Sequence, residues 1–493
     1  MRTIESLRAL AAGAAVVVLG ACNSLDAPDQ NANTLNALTN ANPTKASIVF
    51  ATQGLIAGVR GAGPCTGTCA YLGREGFNLD PSNPQNVSTT YIVGSDFSAW
   101  TTPYQNNKQA DIVIAGVPSV ATLTAAEKDG IVGIAQTVKA IDLMFTIQTT
   151  DQVGAVLEVP ASPMDPVPAL ATRAQAYATI LARLDSANTK LGTAGTTFPI
   201  TFPAGYAGFT TPAAFAKLNR AIKAREEVYI GQYAAALTDL TAALSAPFSG
   251  APATIAQLNV GVYNTYSTLS GDATNGVYDA TDRQRFAHNS YAADAQLQAG
   301  AAVGDTTKRD LRFLRKFGPV RGSNGLPINL GLDRYGFHVN WSFRVYNTLA
   351  DPIPLIRNEE LILLRAEANL GCTGVAPTPN CAAVASAPRI SALADINLIR
   401  QVSGGLAAIL DPGLGGTYTG DLLLDELLYN KRYSMVWEGG YIWLDARKYG
   451  ILAKLPHDQA GHLVFPYSPL TANECAQRNI PAGTGICAPP AGL

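Results

Sequence analysis

Residues 212–244 read PAAFAKLNRAIKAREEVYIGQYAAALTDLTAAL, and the reading of this stretch decides the fold class. A helix from Pro212 to Tyr229 runs into Gly231-Gln232-Tyr233, and a second helix follows from Ala234 to Leu244, before Pro247. Gly at the turn lets two antiparallel helices approach closely. Tyr229 and Tyr233 fill the gap between them, ahead of Ala236 and Leu240 on the second helix. The unit is a helical hairpin, and a chain that repeats it builds a scaffold of stacked helices.

The hairpin recurs downstream. Arg357 to Leu370 is a helix with Gly371 as its left-handed C-terminal cap. Beyond the Cys372/Cys381 loop a partner helix runs from Ile390 to Val402, before Gly404-Gly405. A further helical region, Asp421 to Trp437, leads into Glu438-Gly439-Gly440. Upstream, Thr124 caps a helix whose first turn holds Glu127 and whose residues Ile131, Ile134, Val138, Ile141 and Phe145 return at helical spacing. Another helix spans Arg173 to Leu191, with Tyr177, Ile180, Leu181 and Leu184 on one face. Between Pro247 and Leu355 the helical period is lost and Gly, Asn, Asp, Thr and Tyr dominate. That is too long for an idle loop, so the segment is expected to be functional or to carry small sheets. The expected fold is mainly α: hairpins over 120–250 and 355–450 form a scaffold, and a large irregular, loop-rich insertion over 250–355 carries small β elements and the ligand.

Composition narrows the function. At 493 residues the chain has room for two or three average domains or for one large helical one. Charged residues are 15% of it, against about 25% in ordinary soluble domains. Lys+Arg (35) and Asp+Glu (37) nearly cancel, so no global field draws in a polyanion and nucleic acid is not an expected partner. The four His residues form no HExxH, which gives a metalloenzyme little support.

The N-terminus reads as an export signal. Arg2 and Arg8 precede the uncharged run Ala9 to Ala21, which is too short to cross a bilayer core of about 30 Å. Leu19-Gly20-Ala21-Cys22 resembles the lipobox of bacterial lipoproteins, with Cys22 the acylated first residue of the mature chain. Residues 1–21 are therefore expected to be a lipoprotein signal peptide, 22–43 a flexible tether, and 44–493 a single domain. The remaining cysteines fall into close pairs, Cys65/Cys69, Cys372/Cys381 and Cys475/Cys487, each expected in a loop rich in turn-forming residues. In an oxidising compartment these read as three local disulfides, each adding about 2–3 kcal/mol.

Two resemblances follow. The turn Tyr229-Ile230-Gly231-Gln232-Tyr233 with Ala236 and Leu240 resembles a tetratricopeptide hairpin. Ile356 through Ala368, then Asp395-Ile396-Asn397-Leu398-Ile399-Arg400, then Asn430-Lys431-Arg432-Tyr433 through Glu438-Gly439 and Trp443-Leu444-Asp445-Ala446-Arg447, resemble the C-terminal signatures of the SusD/RagB family of outer-membrane nutrient-binding lipoproteins. Phe465-Pro466 and the lipobox extend the likeness over the whole chain. Asn430 stands where that family usually has Glu, Ile442 lies near its usual Arg, and one residue is inserted between Glu438 and Asp445. The resemblance implies a lipid-anchored, surface-exposed outer-membrane protein. It would capture oligosaccharides, or peptides, as a lid over a TonB-dependent, SusC-like transporter, without catalysis and without a cofactor.

The residues can also be read by themselves. Glu360 and Glu367 lie seven apart on one face of an apolar helix, about 10 Å from each other. A hydrolytic carboxylate pair is the sharp reading; an inter-helix ion-pair network with Arg400, Arg432 or Arg447 is the favoured one. His457-Asp458 with His462 reads as surface histidines, and no GxSxG or GxxxxGK[ST] is present, so an exported hydrolase would need an unrecognised site. Loop aromatics (Tyr263, Tyr266, Tyr278, Tyr291, Tyr335, Phe337, Trp341, Tyr346) mixed with Arg and Asn suit glycan capture, although most such rings plug a core. Trp341 and Tyr335 are the leading ligand contacts, with Tyr278, Arg334 and Asn340 beside them. Arg74, with Tyr71, and Trp100 come from the N-terminal half, and Trp100 with Tyr104 and Gln105 also fits a core-facing helix.

Overall fold

The computed structural model describes residues 43–62, 67–94, 99–162, 164–373, 381 and 388–493. Cys22, the leader over 1–21, nearly all of the tether and Cys65 lie outside the described residues.

The fold is mainly α, with small sheets. Its longer helices are α1 (Lys45–Ala62), α2 (Thr101–Gly116), α3 (Ala125–Thr150), α4 (Arg173–Gly192), α5 (Pro212–Tyr229), α6 (Tyr233–Ala243), α7 (Asn358–Gly371), α8 (Pro388–Val402), α9 (Leu422–Ser434) and α10 (Tyr441–Lys448). α3 is the central post, with α1, α2, α4 and α5 packed around it. Its start is fixed by a capping box in which the Thr124 side chain and the Glu127 backbone and carboxylate satisfy each other; Thr172 and Gln175 do the same for α4. The stripe Ile131, Ile134, Val138, Ile141 and Phe145 is buried, as are Tyr177, Ile180 and Leu184 of α4, while Leu181 is half-buried. By length and composition α3 could cross a membrane, but it is an interior helix. Its charges are matched inside: Lys139 meets Asp111 at 2.5 Å and Glu158 at 2.8 Å, and Asp142 accepts from Asn106 at 2.9 Å.

The α5–α6 hairpin forms as its sequence dictates. Gly231 takes φ +79° at the turn, a left-handed conformation open to glycine without steric cost. The ring of Tyr233 then lies on Gly371, at the end of α7. Here the expectation needs correcting: Gly371 is the last residue of α7 in right-handed conformation, not a left-handed cap, and close approach of Tyr233 is what requires glycine there. The helix expected over Asp421–Trp437 stops at Ser434, because Trp437 (φ +64°) and Gly440 (φ +68°) turn the chain into the separate α10.

The insertion carries six strands, among them β2 (Gly261–Asn264), β3 (Arg285–Ala287), β4 (Phe317–Pro319) and β7 (Trp341–Phe343), and it is sewn to the rest of the fold. An antiparallel sheet in the order β1-β3-β7-β4 begins with β1 (Gly76–Asn78), which lies between α1 and α2 in the chain. β5 (Leu332–Arg334) and β6 (Phe337–Val339) form a hairpin, and β2 pairs with β8 (Ile353–Arg357), which leads directly into α7. Phe77, Phe286, Tyr291, Phe313, Phe337, Tyr346 and Trp437 fill a second core beneath these strands, so Tyr291, Phe337 and Tyr346 are core plugs.

Disulfides join Cys372 to Cys381 and Cys475 to Cys487, with Cα separations of 5.1 and 6.0 Å. The expected Cys65–Cys69 bridge falls outside the described residues, because Cys65 does. The setting expected for Cys69 needs correcting. It is not a loop residue: it lies in the short helix Thr68–Leu72, buried in an apolar cluster with Leu72, Trp443 and Phe465. Gly440 packs against it so closely that an added Cβ would fall 2.4 Å from the Cys69 Cβ, which ties this helix to the start of α10.

Candidate functional site

An open cavity forms where α1 meets the insertion. Gly54, Gly58 and Gly61 form a small-residue stripe along α1, and a Cβ at Gly58 would sit 2.3 Å from Asn106 Oδ1, so glycine lets α2 close onto α1. The C-terminal half of α1 (Ala57, Gly58, Arg60, Gly61) and Thr102 of α2 form one wall of an open cavity of about 570 Å³. The other wall is Tyr266, Ala273, Thr274, Gly276 and Val277, with Ile353 of β8 beside them. By comparison, two further cavities measure about 430 and 290 Å³.

The loop 265–277 is held by specific bonds. Asn275 is fully buried; its backbone N–H donates to Leu349 O at 2.7 Å, its side-chain amide to Asp351 O at 2.8 Å, and its Oδ1 accepts from Val277 N at 3.0 Å. Arg60 donates to Thr265 O at 3.0 Å and is ion-paired with Asp272. The Ser267 hydroxyl, and then Arg60, hold the Asp272 carboxyl down to about 2. Among the described residues Arg60 is the one charge of the lining, and Asp272 neutralises it. What faces the cavity is therefore an uncharged surface of small residues, two threonine hydroxyls, a tyrosine ring and the spare N–H groups of a paired guanidinium. Such a surface can accept and donate hydrogen bonds to a neutral polyhydroxylated molecule and stack on an apolar ring face.

None of the seven ligand contacts chosen from sequence lines this cavity. Trp341 is half-buried on β7, its ring edge-on to Phe313 at 4.9 Å and beneath Arg309. Tyr335 is exposed at φ +51°, and the Asn340 backbone N–H donates to Asn289 Oδ1 at 3.0 Å. Arg334 spends its guanidinium on the carbonyls of Leu79 and Arg283, and Tyr278 is half-buried against the second core. Arg74 is 2% exposed and donates to the carbonyls of Pro456, Tyr71 and Leu463 while covering the Tyr91 ring; it is among the residues lining the cavity of about 430 Å³. Trp100 lies in a core cluster, its Nε1 donating to Glu474 at 3.2 Å.

The carboxylates of α7 are consumed structurally. Glu360 takes both ends of Arg225 at 2.5 and 2.8 Å, and Glu367 takes Lys431 at 2.8 Å, Lys448 at 2.6 Å and the Tyr449 hydroxyl at 2.7 Å. Burial alone would raise the Glu367 pKa, but Lys431 and Lys448 outweigh it and hold the group ionised. The arginines expected as their partners are engaged elsewhere: Arg400 pairs with Glu426, Arg432 with Asp294 at 2.7 Å, and Arg447 donates to the Tyr229 hydroxyl and to Gln148 O. Asn430 closes the rewired cluster by accepting from Arg312 at 2.9 Å and donating to Glu426 at 2.7 Å. Nor is His462 a surface residue. It is buried between Tyr91 and Phe337, while Asp458 bonds His288 at 2.8 Å.

No family description and no curated protein sequence matches the chain. Solved structures do. A SusD-like protein from Bacteroides fragilis is 13% identical, with a TM-score of 0.61 over 86% of this chain and 88% of its own. A laminarin-binding SusD-like protein is 13% identical, with a TM-score of 0.58 over 87% of this chain and 97% of its own. A SusD-like carbohydrate-binding protein from Bacteroides fragilis is 12% identical, with a TM-score of 0.62 over 83% of this chain and 87% of its own. At such identities the likeness is one of architecture, and it spans nearly the whole of each molecule: the chain has the SusD-like fold.

Proposed function

We propose that the protein is a non-catalytic nutrient-binding lipoprotein of the SusD/RagB family. It captures a neutral oligosaccharide in the cavity between α1 and the 265–277 loop. The lipid on Cys22 anchors it at the outer membrane, and the captured ligand passes to a TonB-dependent, SusC-like transporter. The observation that carries the reading is the lining itself: open, uncharged, bearing hydroxyls and one tyrosine ring, on a fold shared with carbohydrate-binding proteins. Two features support the absence of catalysis: the α7 carboxylates are locked in ion pairs, and no carboxylate among the described residues lines the cavity.

The test is calorimetric titration of the mature chain with a panel of neutral oligosaccharides, laminarin fragments included, with chromatography of each mixture afterwards. Saturable binding with the sugar recovered intact is expected. Shortened products would instead mark the protein as an exported hydrolase. Binding of peptides but of no sugar would make it a peptide-capturing protein of the same architecture.

A further inference from the structure

A second cavity, of about 430 Å³, opens on the face formed by α9, α10 and the segment 451–456, and among the described residues it shares no lining with the cavity between α1 and the insertion. Its floor is Leu428 and Tyr429 of α9, Ile442 of α10, and Ile451 and Leu455 beyond it. All five are half-buried, packed against a core on one side and open on the other. The two cavities therefore differ in kind. Half of the first lining is glycine or alanine, whereas the second exposes large aliphatic side chains and two tyrosine rings, Tyr429 and the 54% exposed Tyr418.

The polar groups around this floor are already engaged. Arg74 gives its guanidinium to three carbonyls, and Lys454 donates to the carbonyls of Thr417 and Tyr418 at 2.9 and 2.6 Å. Asp425 accepts from Thr419 and from the Tyr418 backbone N–H, and the Tyr429 hydroxyl donates to Asp310 at 3.0 Å. Arg432 pairs with Asp294 at 2.7 Å and bonds the Ser290 hydroxyl. A sugar entering here would lose water from many hydroxyls and regain few hydrogen bonds, which is costly. The charges of the wall also balance, Arg74, Arg432 and Lys454 against Asp294, Asp425 and Asp445, so a net-charged ligand gains nothing from them.

What the wall does offer is apolar area and aromatic faces. A volume of this size suits a molecule of one or two rings. An aromatic ring gains more than an aliphatic one, because it packs against Tyr429 and Tyr418 and presents a face to Arg432 and Lys454 on the rim. One acceptor is left over. Asp294 spends Oδ2 on Arg432, and its side chain is 50% exposed, so Oδ1 is open to a hydroxyl donor.

We infer that this cavity binds a small neutral aromatic molecule of the phenol class, its ring on the floor of Leu428, Ile442 and Leu455 and its hydroxyl donated to Asp294. The inference is independent of the sugar reading of the larger cavity.

It is tested by titrating the mature chain with phenol, cyclohexanol and glucose separately, by calorimetry or ligand-observed NMR. Phenol is expected to saturate in the millimolar range or below, to bind about 2- to 10-fold more tightly than cyclohexanol, and not to be displaced by glucose. Leu428→Glu and Leu455→Glu each set a charge on the floor and should weaken phenol binding by about tenfold or more; Asp294→Ala should weaken it by about 2- to 10-fold. Both floor residues are half-buried at the surface, so circular dichroism is expected to stay that of the wild type. No saturation by phenol, tighter binding of cyclohexanol, or wild-type affinity in both Leu428→Glu and Leu455→Glu would each overturn the inference. Wild-type affinity in Asp294→Ala would overturn the hydroxyl contact, and a loss confined to Tyr266→Ala would place the ring in the larger cavity instead.

Discussion

Tyr233 lies directly on Gly371: a Cβ added there would fall 2.3 Å from both Cδ2 and Cε2 of the ring. This contact is one of those that seat the α5–α6 hairpin on α7, where the two halves of the scaffold meet. Replacing glycine by alanine inside a helix normally stabilises by about 1 kcal/mol. Gly371→Ala should do the reverse, because the ring must move out of a packed core, and a loss of about 1–3 kcal/mol is expected from urea unfolding. Unchanged or raised stability would show that the ring gives way freely.

Arg225 and Glu360 form a buried pair, side chains 7% and 5% exposed. Arg225→Met strands the Glu360 carboxylate and should cost about 3–5 kcal/mol, whereas adding Glu360→Leu should restore much of it. Guanidinium unfolding of the two variants measures the difference. Equal losses in single and double variants would mean that the stranded charge is not the cause.

Glu226 is fully buried, and burial raises its carboxyl from the ordinary 4.5 to about 8. The folded chain therefore holds a proton that the unfolded chain has lost. Its stabilising contribution is complete below pH 4.5 and disappears as pH rises through about 8. Glu226→Gln should flatten the fall of stability across that window, which can reach about 1.4 kcal/mol per pH unit. Thermal unfolding from pH 5 to 8 reads it, and parallel curves for variant and wild type would contradict it.

Cys475–Cys487 and Cys372–Cys381 close loops of similar length, 12 and 9 residues apart, so chain entropy alone would make them nearly equal at about 2–3 kcal/mol. The first is buried beside Trp100 and Leu470. Replacing that pair by alanine should therefore cost more than replacing the other, as read by thermal unfolding under non-reducing conditions. A larger loss at Cys372/Cys381 would refute the role given to burial.

Cys22→Ala should move the protein from the membrane pellet to the soluble fraction in detergent-free fractionation. Retention in the pellet would argue against the lipid anchor.

The scaffold was legible because its signals are local. Thr124/Glu127 and Thr172/Gln175 close capping boxes three residues wide, and the stripe from Ile131 to Phe145 falls on one helix. The cavity was not, because Gly58, Thr102, Tyr266 and Ile353 come from four remote segments and half of its lining is glycine or alanine, residues that announce no chemistry. The α1 glycine stripe at 54, 58 and 61 was the available signal, and it was missed. Trp341 shows how little neighbours in sequence say of neighbours in space: in a strand successive side chains face opposite ways, and its half-buried ring lies against Phe313 and Arg309. Cys69 misled in a similar way, since the turn-forming residues before it hide a short helix whose burial depends on Trp443 and Phe465, far along the chain. The ion pairs of Glu360 and Glu367 form as expected, but with other partners, for the same reason: Arg225 and Lys448 are set beside them only by packing.

That a neutral sugar binds between α1 and the 265–277 loop is tested most directly by titrating Tyr266→Ala with an oligosaccharide that binds the wild type. Loss of the stacked ring should weaken binding by about 5- to 150-fold with helix content unchanged. Wild-type affinity in Tyr266→Ala, together with a loss in Trp341→Ala or Tyr335→Ala, would contradict this placement and put the ligand on the strands of the insertion.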